Sequence, residues 1–346
     1  MNVAVVIPSF NEEAYIEACV MSVVNNSYVD GNVDIYVVDG HSDDKTRSIV
    51  VGIASKHDNV HLVDNPKKVT PVALNLGIMA SDADVKIILG AHSVVANDFI
   101  SANIQILKDY PEVGCAGGVI QNVYETKSAE TIGLAMSSSF GVGNASFRTG
   151  AKNGFVETVA FGAYRQSVFD KIGYFDEQLV RNQDDEFNFR LISNGFKIYL
   201  SNTIGVDYFV RSSFSKLRKQ YYQYGYWKVY VNKKLRTITT LRQLFPAAFV
   251  AFLVFGILLS WINYVIPVLL LSTVGLYVLC ALFFARKKAR SFSQLLLICA
   301  TFFILHFFYG AGYLVGIFNF IFLGKGPAKR QTEVTRERYS KSSTFR

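Results

Sequence analysis

Cysteine is scarce and scattered. The 346-residue chain has four, Cys19, Cys115, Cys280 and Cys299. None falls in a CxxC or Cys/His pattern, which excludes a disulfide framework or a zinc module and leaves buried thiols. Carboxylates are missing altogether between Asp207 and Glu333. Residues 1–207 hold 25 of the 27 acidic residues and a net charge of −10, whereas residues 208–346 carry +18. Such asymmetry rules out one uniform soluble globule, and a hydrophobic content of 51% rules out disorder. A basic half is compatible with nucleic acid, but this one holds three long apolar stretches. The expectation is therefore a membrane and no nucleic-acid partner. A secretory signal is also lacking: Val3–Pro8 is short, follows no basic residue and runs into Asn11-Glu12-Glu13. The first half is expected to stay in the cytoplasm.

What is present in residues 1–207 alternates strand with helix. Val3 to Pro8, Ile35 to Val38, Val60 to Val63 and Val85 to Leu89 are β-branched apolar runs, suited to strands buried on both faces. Between them Asn11–Asn25, a segment opened by Ser42–Thr46, Thr70–Ala80 and then Phe99–Tyr110 read as helices. This rhythm predicts an α/β fold with an open, mostly parallel, Rossmann-like sheet. Its ligands should bind beyond the carboxyl ends of the strands, at Pro8–Glu12, Asp39–Asp43 and Gly90–Ser93. Residues 115–207, irregular and Gly-rich, are expected to complete the sheet and shape the pocket for a second substrate.

Residues 211–243 interleave basic residues, Arg211 to Arg242, with Tyr, Trp, Phe and Leu, as an amphipathic segment on an anionic membrane surface does. Leu244–Trp261, Tyr264–Ala285 and Leu295–Leu323 then approach or exceed the ~20 apolar residues that cross a bilayer. By the positive-inside rule the basic linker and Arg286–Arg290 are cytoplasmic, making the first two spans an in–out–in hairpin turning at Asn263. The stretch 295–323, with Gly310, Gly312 and Gly316 inside it, is either a single crossing, which would put the basic tail outside, or, as the tail's charge favours, a tight or re-entrant hairpin. That would keep the basic tail, 324–346, on the cytoplasmic side. His306 is expected to be a neutral side chain bonded to a neighbouring helix.

Chemistry-bearing residues follow the strands. Val-Ile-Pro-Ser-Phe-Asn-Glu-Glu (6–13) and Val-Val-Asp-Gly-His-Ser-Asp-Asp-Lys-Thr (37–46) each put polar groups just past a buried strand. There a carboxylate can accept from a nucleobase or ribose. With these two motifs the chain resembles the inverting family 2 glycosyltransferases of GT-A fold over about residues 1–210, and in particular the succinoglycan-biosynthesis subgroup with C-terminal membrane helices. The resemblance implies that Pro8, Ser9, Asn11 and Glu12 line the nucleotide pocket and that Asp39 holds the base.

The family follows its fourth strand with Asp-x-Asp, which binds the donor diphosphate through a divalent metal, Mn²⁺ or Mg²⁺. Here the sequence is Gly90-Ala91-His92. His92 is the candidate metal ligand, since imidazole ligates transition metals. Val180–Leu191 resembles the family's acidic motif, with Gln183, Asp184, Glu186 and Arg190 at the matching positions. Inverting transfer needs a carboxylate to take the acceptor hydroxyl's proton, and the resemblance gives that role to Asp184. Gly162–Arg165 and Gly173–Glu177 resemble the acceptor region. Gln223-Tyr224-Gly225-Tyr226-Trp227 stands where processive members carry Gln-x-x-Arg-Trp. Tyr226 replaces the Arg, which argues against a polymer synthase and leaves Gln223, Trp227 and Lys228 as candidate acceptor or diphosphate contacts.

The implied activity is transfer of one sugar from a nucleotide-sugar donor, a UDP-sugar, to a polyprenyl-diphosphate-linked saccharide. It would occur on the cytoplasmic face of the inner membrane, in surface or exopolysaccharide assembly. Two alternatives stay open: transfer to polyprenyl phosphate itself, and a catalytically silent nucleotide-sugar-binding membrane protein.

Overall fold

The computed structural model describes residues 1–143, 145–150, 153–210 and 212–326. Arg211 of the basic stretch and residues 327–346 of the expected tail lie outside them. In chain order the elements are β1 Val3–Ser9, α1 Ile16–Val24, β2 Val33–Asp39, α2 Thr46–Ala54, β3 Val60–Asp64, α3 Thr70–Met79, β4 Val85–Ile88, β5 Ser93–Val95, α4 Phe99–Asp109 and β6 Val113–Val123. Then come α5 Lys127–Met136, α6 Ser139–Val142, α7 Ser146–Thr149, β7 Gly154–Val156, β8 Ala160–Arg165, α8 Gln166–Ile172, α9 Gln183–Ser193 and β9 Lys197–Phe209. The last four are α10 Phe214–Leu235, α11 Leu244–Leu259, α12 Val265–Arg286 and α13 Phe292–Gly316, the last prolonged by a π-turn over Ile317–Phe322.

Residues group into two compact units, one of Met1–Gln121 with Gly150–Phe209, the other of Asn122–Thr149 with Val210–Gly326. The first is built on a sheet of order β3-β2-β1-β4-β8-β6-β9-β5. Strands β1 to β4 are parallel, with Ser9 registered against Asp39. Crossover helices over parallel strands leave no solvent face, so Val3–Ile7, Val37 and Ile87 are wholly buried. From β8 onward the pairing is antiparallel. The sheet is thus parallel across β1 to β4, where βα repeats build it, and antiparallel across the strands from the Gly-rich part. Chain order reverses between β1 and β4, which makes their carboxyl ends the switch point at which such sheets bind ligands. Inside β4, Lys86 is fully buried with Nζ donating to the Ser81 carbonyl; burial pushes its pKa down to about 8, against opposing pull from Asp82, Asp84 and Asp170.

The second unit is helical, and it takes in residues 122–149, which the sequence reading leaves with the sheet. Phe140 of α6 packs among Tyr277, Phe284 and Phe302 at centroid distances of 5.6, 5.3 and 5.0 Å. Glu130 of α5 pairs with Arg290 at 3.3 Å. His306 is held as expected: Nε2 donates to the Phe140 carbonyl at 2.8 Å and Nδ1 accepts from the Tyr277 hydroxyl at 2.9 Å. Three helices, Leu241–Leu259, Val265–Arg286 and Phe292–Phe322, are long and apolar enough to cross a membrane. The expected hairpin within 295–323 is not formed, because α13 is one continuous helix. Its glycines serve close approach instead. A Cβ on Gly312 would fall 2.1 Å from the Tyr222 carbonyl oxygen of α10, one on Gly225 of α10 would fall 1.9 Å from that of Tyr309, and one on Gly310 would fall 2.2 Å from that of Pro246. Backbones in such contact tolerate no side chain.

Candidate active site

The loops after β1 and β2 are locked together side chain to backbone. Asn11 N–H donates to Ser42 Oγ (2.9 Å), Asp43 N–H to Asn11 Oδ1 (3.0 Å), Glu12 N–H to Thr46 Oγ1 (2.9 Å), Glu13 N–H to Asp44 Oδ2 (3.1 Å) and Lys45 N–H to Glu13 Oε2 (3.0 Å). Short polar side chains suit this because they bond to nearby backbone outside helices. Burial would raise the Asp44 carboxyl, but hydrogen bonds from Thr46 and Glu13 outweigh it and hold the pKa below its usual value. Asn11, His41 and Lys68 take left-handed φ angles of 55°, 57° and 57°. Such conformations persist only where surroundings over-determine them, and they gather at binding sites.

Asp39 ends β2, wholly buried. Its carboxylate accepts from Ser42 N–H (3.0 Å), Ser42 Oγ (2.5 Å) and Arg47 Nη1 (3.0 Å), with Ser9 Oγ at 3.5 Å. The same Arg47 nitrogen reaches Asp64 at 2.7 Å. A buried carboxylate is tolerable only when so satisfied. Phe10 projects from the end of β1, 46% exposed, with Lys68 Nζ 5.5 Å from its ring centroid.

The first residue of the altered Asp-x-Asp position has a steric cause. A Cβ on Gly90 would lie 3.0 Å from the Phe161 ring and 3.4 Å from Ser93 Oγ, so an aspartate would need Phe161, itself at φ 52°, to give way. Ala91 is buried beside it. His92 sits among Tyr15, Tyr208 and Phe209: its ring lies 6.4 Å from Tyr15 and 5.0 Å from Tyr208, and Tyr15 lies 5.0 Å from Phe209. Nε2 is 3.2 Å from the Tyr208 hydroxyl. Nδ1 is buried without a hydrogen-bond partner, and Glu12 Oε1 lies 3.4 Å from it, at ion-pair range but outside hydrogen-bond alignment. Structure therefore joins Pro8, Ser9, Asn11, Glu12, Asp39, Gly90, Ala91 and His92 along the carboxyl ends of three adjacent strands.

The acidic motif opens α9. Asn182 caps it in the left-handed region (φ 60°), and Asp184, Asp185 and Glu186 fill the first turn, where the helix dipole favours anions. The carboxylates differ in setting. Glu186 is fully buried and bidentate with Arg190 at 2.7 and 2.9 Å, and Arg190 also donates to the carbonyls of Ile172 and Tyr174. This pair ties α9 to the loop after α8. Asp184 is exposed. Gln183 precedes it on the same turn. Asn75, buried on α3, donates to the Phe175 carbonyl (2.9 Å) and Glu177 (3.1 Å) and accepts from Phe175 N–H (3.0 Å), fixing the Gly173–Glu177 segment. Arg47, Phe10, Tyr208 and Asn75 were not evident from sequence. Their partners lie 8 to 116 residues away, and only Phe10, inside the first motif, carries a local signal.

Gln223, Trp227 and Lys228 belong to α10 in the other unit. Trp227 packs against Tyr226, Tyr230 and Phe320 at 5.8, 6.0 and 5.8 Å, and Lys228 is buried.

A mixed sheet with a polar switch point at its parallel end, an exposed aspartate at a helix start and apolar C-terminal helices together describe a GT-A glycosyltransferase attached to a membrane-type helical unit. Residues 4–173 match Glycosyl transferase family 2. Over 230 residues the chain is 35% identical to the dolichyl N-acetyl-alpha-D-glucosaminyl phosphate 3-beta-D-2,3-diacetamido-2,3-dideoxy-beta-D-glucuronosyltransferase of Methanococcus voltae, covering 64% of this chain and 71% of that protein. It is 30% identical over 270 residues to succinoglycan biosynthesis protein ExoA of Rhizobium meliloti (strain 1021), covering 76% and 80%. The chain belongs to glycosyl transferase family 2. In fold it is similar to the mannosyltransferase PcManGT from Pyrobaculum calidifontis, solved with GDP-Man and Mn²⁺, with a TM-score of 0.59 at 15% identity over 92% of this chain and 87% of that one.

Proposed function

We propose that this glycosyltransferase moves one sugar, with inversion, from a UDP-sugar to a polyprenyl-diphosphate-linked saccharide on the cytoplasmic face of the inner membrane, in surface polysaccharide assembly. The observation that carries the donor half is the buried Asp39 carboxylate at the switch point, held by Ser42 and Arg47. It is preorganised to accept from the base, while the locked loops of Asn11, Glu12 and Ser9 line the nucleoside. The acceptor half is supported by the apolar helices and by the Methanococcus voltae relative, whose name describes a dolichyl-phosphate-linked acceptor. Asp184, exposed at the start of α9, takes the proton from the acceptor hydroxyl as the hydroxyl oxygen attacks the anomeric carbon and the bond from that carbon to the diphosphate breaks, UDP leaving with the bonding electrons. Glu186 and Arg190 hold that helix in place. Gln223, Trp227 and Lys228 contribute to acceptor binding.

Among the described residues no group of three or more His, Cys, Asp or Glu side chains stands ready for a metal. Two donors do fit one: the unpartnered, buried Nδ1 of His92 and the Glu12 carboxylate 3.4 Å away, oriented by Tyr208 behind the ring. A divalent ion held there, Mn²⁺ suiting the imidazole better than Mg²⁺, would neutralise charge on the donor diphosphate.

The test is transfer of radiolabelled sugar from a nucleotide-sugar panel to lipid extracted from the membrane. Label in a product that keeps a pre-existing saccharide is expected. A product bearing label directly on polyprenyl phosphate, cleaved by mild acid, would overturn the acceptor assignment, and no transfer from any donor would overturn the activity.

A further inference from the structure

The helix α13 is long enough to cross a bilayer, yet its neighbours keep both of its ends on one side. Its second half runs parallel to α10, backbone against backbone, through Gly225, Gly312 and Gly316. Along α10 stand Lys216, Arg218, Lys219, Lys228, Lys233 and Lys234. Each Lys or Arg at a bilayer centre costs roughly 2.5–3.5 kcal/mol, so α10 stays among the headgroups. What packs on it at backbone distance shares its depth. Lys233 Nζ donates to the Phe320 carbonyl at 2.6 Å, and Asn232 donates both to Tyr313 OH (3.1 Å) and to Gln243 (3.0 Å), the residue just before α11. The carboxyl end of α13 is therefore level with the entry of the first span.

The amino end is on the same side. Phe292 follows the basic run Arg286–Arg290, and Arg290 pairs with Glu130 of α5. Between the ends, α13 passes across the base of the α11–α12 hairpin. His306 meets Tyr277, which stacks on Phe249 of α11 at 4.8 Å. Four residues later Gly310 lies against Pro246 and Val250, on either side of Phe249 in the sequence, so α13 keeps to one level of the hairpin through this turn. A helix descending beside α12 would meet deeper residues with each turn. The far part of the hairpin instead packs on itself, Gly256 facing Leu270.

Exposure agrees. On α13 and its π-turn, Leu296, Phe303, Val315, Phe318 and Phe322 are exposed on one face, while Ile298, Leu305, Gly312, Gly316 and Phe320 are buried on the other. On α12, exposed residues such as Val268, Leu269, Leu271 and Val278 surround the helix.

We propose that α13 is not a third crossing. Only α11 and α12 span; α13 lies with α10 in the cytoplasmic interface, its Leu296–Phe303–Val315–Phe318–Phe322 face resting on the acyl chains of an anionic leaflet and Lys325 ending on the cytoplasmic side. This rests on the membrane attachment proposed above, and it accounts for the seven basic residues of 324–346 by the positive-inside rule.

The test uses the full chain with Cys19, Cys115, Cys280 and Cys299 replaced by serine and one new cysteine at a time, N263C, K288C or K325C, in vesicles of either orientation. A membrane-impermeant maleimide is expected to reach N263C from outside only and K288C and K325C from the cytoplasmic face only. Labelling of K325C on the side of N263C would overturn the proposal. Labelling of N263C and K288C from the same face would instead overturn the membrane reading beneath it. Should the serine variant not fold, a fluorescent protein or alkaline phosphatase fused after Arg346 of the native chain reports the same side: fluorescence supports the proposal and phosphatase activity overturns it. Depth completes the test. Spin labels at Phe303 and Val315 are expected at equal, shallow depth, well above one at Leu271; a label at Phe303 as deep as Leu271 would overturn the in-plane placement.

Discussion

In the sheet unit the closest contacts at the site join polar side chains to backbone: Asn11, Ser42, Asp44, Thr46 and Asn75 each satisfy a loop N–H or carbonyl. In the helical unit neighbouring helices meet through what is absent, the side chains of Gly225, Gly310 and Gly312, a device the first unit uses within its sheet at Gly118. The first unit buries β-branched residues away from water and uses its polar groups to fix the loops at the strand ends. The second joins its helices by close backbone approach, which gains packing without needing apolar surface to be withdrawn from water. The two kinds of contact should fail differently.

The largest structural effect is expected in the sheet unit. Arg190→Met strands the fully buried Glu186, and breaking such a pair costs ~3–5 kcal/mol, here toward the low end because Arg190 is 23% exposed. Chemical unfolding followed by the melting temperature of the sheet unit measures it. A loss of transfer with stability intact would instead place Arg190 among groups that act on the substrate.

Next comes the helical unit. Gly225→Leu or Gly312→Leu drives a side chain into a carbonyl oxygen and is expected to cost about 1–3 kcal/mol in detergent. Gly52→Ala, where a Cβ meets nothing within 4 Å, is expected to be neutral or stabilising by up to ~1 kcal/mol. Equal tolerance at Gly225 and Gly52 would break the comparison.

Two pH effects are smaller. Burial depresses the Lys86 pKa from 10.5 to about 8, so the unfolded chain binds more protons across that window and stability rises with pH through it. Lys86→Met is therefore expected to stabilise the protein by about 1 kcal/mol at neutral pH, an advantage that fades in melts recorded near the upper end of the window. Asp44 has the opposite profile. Its depressed pKa gives stability that is present above the unfolded carboxylate value and lost as pH falls through the folded one. At a half-exposed site this amounts to less than about 1 kcal/mol, and Asp44→Asn should flatten the acid limb of the melting curve.

Much of the sheet unit was legible in the sequence because its first four strands and helices repeat a strong period. β1, β2, β3 and α3 fall within one or two residues of expectation. The antiparallel half was not legible. β6 to β9 are defined by long-range pairing, and close approaches such as Gly118 to Ile204 leave no local trace. The same holds for Phe140, a lone aromatic in a polar stretch, which finds its partners some 140 to 170 residues further on. Gly310, Gly312 and Gly316 show the ambiguity most clearly. Glycine in an apolar run serves either a turn or a close contact, and only the position of α10 decides between them. At the site, Asp39, His92 and Asp184 were readable as motif positions. That Glu12 faces His92 and Arg47 faces Asp39 depends on how neighbouring strands end.

The central claim is that Asp184, alone among the acids of the α9 first turn, does the proton chemistry, while the strand-end loops hold the donor. Asp184→Asn tests it directly when donor binding and sugar transfer are both measured on the full chain. The nucleotide sugar is expected to stabilise wild type and variant equally, since a ligand that binds the native state raises its melting temperature. Transfer to the lipid-linked acceptor should fall by roughly 10²- to 10⁴-fold. Transfer at the wild-type rate by Asp184→Asn would contradict the account.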